Sequence, residues 1–226
     1  MVAVIGNKYV ISSILDFLNS PTELIWFARQ RIGRLLYRGL VGNFSSKKFP
    51  VKNIELQELR LELIYFFLKK GRLDLFGKGW GSLRNLPPKW QSKLSSVFSF
   101  ASSQACDDKI NTIKKYKFAL CVENAKFSGY ITEKIIDCFV AGVIPVYMGS
   151  PDINFHISRN CFIDLRDFKN LQELLDYLDN LSEYDANLMI KAGQDFIKSL
   201  QGRSFSYEGF AEVMENIIRE EVRKIA

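Results

Sequence analysis

Short unbroken apolar runs alternate along this chain with longer segments in which apolar residues recur at helical spacing. The opening run, VAVIG, ends in Gly6 and reads as a buried parallel strand. Residues 73–76, 117–122, 144–148 and 161–165 read the same way. Helices are predicted between them. Ser20-Pro21 offers an N-cap followed by proline at the first helical position, which predicts a helix over 21–37. Further helices are predicted over 54–69, 132–141, 171–181 (capped by Asp167), 185–200 and 206–223. In the last of these Phe210, Val213, Met214, Ile217 and Ile218 share one face, and the stripe is read as core. Residues 39–53 read as a loop. Residues 81–109, with Pro87-Pro88 and the serine-rich SSVFSFASSQ, read as an irregular excursion.

Strands alternating with helices predict an α/β fold, a parallel sheet with helices on both faces. Ligands of such sheets sit at the carboxyl ends of the strands. A length of 226 residues suits one such domain, and no internal repeat interrupts it. Composition adds little: 47% hydrophobic and 25% charged residues argue against a disordered chain. Charge adds a direction, since a net +6 points to anionic partners such as nucleotide phosphates, lipid headgroups or nucleic acid. Nucleic acid is disfavoured, because the positive charge is scattered and no recognised binding module is present. Cys106, Cys121, Cys138 and Cys161 form no CxxC pair and no metal-like spacing with His156, the lone histidine, which reads as a loop residue. Reduced thiols and a cytoplasmic location are expected. No signal peptide is expected from the opening residues, and the longest apolar stretch, 135–148, contains Asp137 and Pro145 and falls short of the ~20 residues of a membrane helix.

The chemistry concentrates in residues 116–151, YKFALCVENAKFSGYITEKIIDCFVAGVIPVYMGSP. This is one βαβ unit with its polar residues gathered at the end of the first strand and the first turn of the helix. A helix N-terminus offers free N–H groups and roughly half a positive charge, which attracts a pyrophosphate. Lys134 in the first turn adds a full charge, although the helix dipole disfavours a cation there. Glu133 suits the dipole and can accept from sugar or ribose hydroxyls. Asn124 both donates and accepts, and Tyr130 offers a ring face and a hydroxyl. Taken singly, each residue fits an ordinary solvated helix end better. Taken together, they favour a phosphate site. The Gly77-Lys78-Gly79-Trp80 turn either approaches the same ligand or serves only the turn.

These residues resemble the donor-binding signature of the family-10 glycosyltransferases, the α-1,3/α-1,4-fucosyltransferases, and their bacterial branch in particular. The matching elements are YKF, ENA, GYITEKIIDCF, AGVIPVYMGSP and NCFIDLRDF; LDLFGKGW and VAVIGNK are also similar to family segments. The resemblance covers residues 1–10 and 54–181 and is specific over 116–168. It implies a GT-B enzyme, in which two Rossmann-like domains face each other across a cleft. The C-terminal domain holds GDP-fucose, without metal or other cofactor. On that basis residues 1–226 form a single donor-binding domain, with 11–53 a basic helical insertion or extension and 54–226 the GDP-sugar core and C-terminal helices. Asn124, Tyr130, Glu133 and Lys134 would contact the diphosphate, ribose or fucose. Arg60, in ELRLELIYFF, matches a family arginine that reaches the diphosphate, with Arg72 as the fallback. The implied reaction carries fucose to a glycan acceptor with inversion, the GDP leaving group being stabilised by Lys134, Arg60 and the helix end.

The family's general base belongs to the N-terminal domain, so the catalytic residue is unknown here and is expected outside this chain. Three readings stay open: a fragment, a half that works with a separate N-terminal acceptor domain, or a domain that binds donor without turnover. A fourth comes from the basic stretch 21–38, which carries the first predicted helix and whose Arg29, Arg31, Arg34 and Arg38 could rest on anionic lipid as a peripheral membrane contact.

Overall fold

The computed structural model describes residues 2–5, 56–76, 80, 83–97, 103–104, 106 and 108–225. The helix predicted over 21–37, the loop 39–53 and the turn residues 77–79 lie outside these. Among the described residues six parallel strands form the sheet: β1 Val2–Ile5, β2 Leu73–Phe76, β3 Ser103–Gln104, β4 Phe118–Val122, β5 Ile144–Met148 and β6 Ile163–Asp164. Their order is β3-β2-β1-β4-β5-β6. That is the Rossmann order, and it reverses direction between β1 and β4, where Val2 pairs with Leu73 on one side and Phe118 on the other.

Both faces of the sheet are covered, which is why β4 and β5 are almost continuously apolar. Phe118 and Val122 of β4 and Ile144 and Val146 of β5 point into one core. That core is closed by helices α1 Gln57–Lys69, α2 Pro88–Ser95 and α6 Leu171–Asn180. Ala119, Cys121 and Tyr147 point the other way, against α4 Glu133–Ala141, the short α5 Ile153–His156 and α7 Glu183–Lys198. The period of two along each strand thus feeds two cores at once. The cysteines are free thiols, three of them buried.

Several boundaries differ from those predicted. The segment expected to be irregular holds α2. Pro88 sits at a first-turn position, where its missing N–H costs nothing, and Trp90 and Leu94 bury one face. Trp90 Nε1 donates to Glu58 Oε2 at 2.9 Å, joining α2 to α1. A short helix, α3 Lys109–Ile113, follows; its Lys109 ammonium meets Asp137 of α4. The cap of α6 is Asn170, not Asp167: its side chain accepts from Glu173 N. Ser182 caps α7, which starts at Glu183 rather than Asp185. The strand expected over 161–165 shrinks to Ile163–Asp164 between two tight turns, because Asp164 folds back to accept from Arg166 N. After α8 Leu200–Arg203, the last helix, α9 Tyr207–Ile225, has an apolar stripe that is not core. Val213, Ile218 and Val222 are all more than half exposed.

Helices α4 and α7 meet through Phe139 and Phe196, whose rings lie edge to face at 5.9 Å. Gly193 makes that approach possible, since a Cβ there would stand 2.5 Å from the buried Phe139 ring. Exchanging glycine for alanine inside a helix ordinarily gains about 1 kcal/mol. Here the clash outweighs that gain. Gly193→Ala is expected to lower the unfolding free energy by about 1–3 kcal/mol, the usual cost of overpacking, as measured by urea denaturation.

Candidate functional site

The carboxyl end of β4 is where the predicted site residues meet. The strand stops at Val122, and Glu123 and Asn124 follow directly. Leu56, just ahead of α1, donates its backbone N–H to Asn124 O at 3.1 Å, so the start of α1 is fastened to the same edge. One turn later Arg60 turns its guanidinium to that edge. Its Nη2 donates to Val122 O at 2.7 Å and to Asn124 Oδ1 at 2.9 Å. Arg72, by contrast, lies away from this edge, paired with Asp179 of α6.

Tyr130 completes this side. The ring is buried and stacked on Phe127 at 4.6 Å. Burial pushes the phenol up to about 12; the negative charges of Glu123 and Glu133 add to that, while a hydrogen bond with Asn124 and the Arg60 charge oppose it. The phenol therefore stays protonated at neutral pH and can donate. The loop carrying it is pinned at Gly129, whose N–H donates to Ser150 Oγ at 3.0 Å and Asp152 Oδ1 at 2.9 Å, both just beyond β5. The β6 edge is held by Asp164, a fully buried carboxylate that binds Arg159 and Arg166. Arg166 in turn reaches Pro151 O at 3.2 Å.

The other side is built on a residue that pattern reading passed over. Glu123 is fully buried, yet it is ionisable. Its Oε1 accepts from Thr132 N at 2.8 Å; its Oε2 accepts from Thr132 Oγ1 at 2.7 Å and from Lys134 Nζ at 2.7 Å. Lys134 also donates to Thr132 Oγ1 at 2.8 Å. The lysine ammonium is thus turned inward against a carboxylate rather than standing free. Thr132 is the N-cap of α4, but its side chain makes no capping bond. The hydroxyl that would close the helix end is held by Glu123, which leaves the first-turn amides uncapped by it. Glu133 is exposed on the same turn. The ENA triplet held the signal for Glu123: a carboxylate immediately after a fully apolar strand.

The structure therefore brings Arg60, Asn124, Tyr130 and Lys134 to one edge, with Glu133 on the adjoining helical turn. Chemically the edge offers two cations, one neutral phenol and a helix N-terminus, a set suited to a diphosphate. Among the described residues no group of three or more His, Cys, Asp or Glu is placed to hold a metal ion. His156 sits at the end of α5, 3.9 Å from Asp152. Removing one member of a buried ion pair costs about 3–5 kcal/mol. Glu123→Ala is expected to lose that much unfolding free energy in urea, since it strands Lys134 and the Thr132 amide together.

The family model for the C-terminal part of glycosyltransferase family 10 (fucosyltransferase) matches residues 47–190. The α-(1,3)-fucosyltransferase FucT of Helicobacter pylori is 33% identical over 104 residues, covering 46% of this chain and 22% of that protein. The α-(1,3)-fucosyltransferase B of Drosophila melanogaster is 34% identical over 141 residues, covering 62% of this chain and 30% of that protein. A crystal structure of an α1,3-fucosyltransferase with GDP is similar at 30% identity and a TM-score of 0.43, over 59% of this chain and 34% of that one. This chain thus spans less than a third of the length of the two curated relatives, at 22% and 30%. The matched segment contains both Arg60 and the whole β4–α4–β5 unit, and the chain belongs to glycosyltransferase family 10, the fucosyltransferases, as a carrier of the family's C-terminal part.

Proposed function

We propose that this chain binds GDP-fucose at the carboxyl end of β4 and acts as the donor domain of a GT-B fucosyltransferase. The observation that carries the reading is the convergence of Arg60, Asn124, Tyr130 and Lys134 on one sheet edge, beside the N-terminus of α4, in a chain of this family. Two relatives are named α-(1,3)-fucosyltransferases. The position also agrees with where doubly wound sheets take nucleotides, close to the switch between β1 and β4.

In this account the diphosphate lies across the first turn of α4. Lys134 and Arg60 balance the charge that grows on GDP as the glycosidic bond lengthens, and Tyr130 and Asn124 hold the ribose or sugar hydroxyls. Glu133 is the exposed acceptor for those hydroxyls. The transition state has oxocarbenium character, and fucose leaves the β-linked donor as an α-linked product on a glycan. The base that takes the acceptor proton belongs to a separate acceptor-binding half. In a second, narrower reading the chain alone binds donor and transfers nothing.

Calorimetric titration tests the donor site. GDP is expected to bind the folded chain more tightly than UDP or ADP. Lys134→Gln keeps an N–H for Glu123 but removes the charge; it is expected to weaken GDP by about tenfold to a hundredfold, the scale of one charge-assisted hydrogen bond. A folded chain with no affinity for GDP would contradict the reading. Fucose transfer by the chain alone, from GDP-fucose to an oligosaccharide, would remove the narrower one.

A further inference from the structure

An ammonium group has three protons, and Lys134 gives one to Glu123 Oε2 at 2.7 Å and another to Thr132 Oγ1 at 2.8 Å. The third has no partner among the described residues, and the lysine side chain keeps 19% of its surface exposed. We propose that Glu123 is a positioning residue for the donor diphosphate, a role that rests on the donor-site reading above. Its buried carboxylate fixes Lys134 so that the third N–H serves the bound phosphate oxygens. It also holds the Thr132 hydroxyl, which makes no capping bond to the helix end.

Two opposed effects decide the sign. A carboxylate behind the site repels an anion, which would make Glu123 a liability. Its charge, however, lies 2.7 Å from an ammonium and accepts further hydrogen bonds from Thr132, so at greater distance the pair acts as a small dipole. Against this stands the ordering of Lys134. A lysine stem is flexible, and donors already held in place bind an anion without the cost of ordering them. Once released from Glu123, moreover, threonine is a preferred N-cap. Its hydroxyl would then turn to the first-turn amides and compete with phosphate. Positioning therefore outweighs repulsion.

The test is a double-mutant cycle read by calorimetric titration of GDP, with urea unfolding of every variant alongside. Glu123→Gln keeps the shape and one acceptor oxygen, and is expected to weaken GDP by about tenfold, the effect of misplacing one charge-assisted hydrogen bond. In a Lys134→Gln background the same change is expected to weaken GDP less than twofold, because the group it positions is gone. Equal losses in both backgrounds would show general structural support and overturn the proposal. Unchanged or tighter binding in Glu123→Gln would show a carboxylate that positions nothing, and would overturn it as well. Should Glu123→Gln not fold, Thr132→Val removes the shared hydroxyl at constant shape, and the same coupling to Lys134→Gln is expected. Absence of GDP binding by the unaltered chain would defeat the donor-site reading together with this proposal. Binding that Lys134→Gln abolishes and Glu123→Gln leaves intact would defeat this proposal alone.

Discussion

A single buried carboxylate ties the sheet to the helix that the site depends on. Glu123 leaves the end of β4 with no solvent exposure and binds the backbone and hydroxyl of Thr132 and the ammonium of Lys134. An unpaired carboxylate there would be strongly disfavoured, so strand, N-cap and lysine stabilise one another. The rest of the edge follows from that constraint. Between β4 and α4, Tyr130 is carried in a loop that Ser150 and Asp152 hold at Gly129.

The sheet order supplies the place and these side chains the chemistry. The strand order reverses between β1 and β4, the switch point at which such sheets take ligands, and Arg60 is brought to the carboxyl end of β4 from α1. Apolar packing on both faces sets the position of α4 against β4 and β5 through Ile135, Cys138 and Phe139. The same burial lifts the Tyr130 phenol to about 12, which keeps it neutral beside the cations. Stability and recognition thus share residues at this edge, and a change to one reaches the other.

Much of this was legible in the sequence because β4, α4 and β5 obey strong local rules. Apolar runs bracketed by Glu123-Asn124 and Gly142 leave little choice of boundary, and Gly142 does end α4 in the left-handed conformation at φ 70°. The grouping of Arg60 with Asn124 was legible only through the family resemblance, since α1 and β4 are joined by tertiary contact. Glu123 escaped notice because sequence pattern treats carboxylates as solvated, as they mostly are. Pro87-Pro88 and the serine-rich run point to irregular chain, although proline suits a helical first turn, so α2 is not legible from them. Strand β6 came out shorter than its apolar pattern because the Asp164 side chain competes for the backbone of Arg166. The α9 stripe shows the limit of periodicity: it marks a face fit for burial without saying whether anything covers it.

The central claim is that a guanosine diphosphate occupies the edge between β4 and α4. Backbone amide NMR of the labelled chain during GDP titration tests it most directly, because it locates the ligand without any substitution. The account predicts saturable shifts concentrated at Glu123–Lys134 and around Arg60, with α9 undisturbed. Shifts centred on another part of the surface, or a spectrum that GDP leaves unchanged, would contradict it.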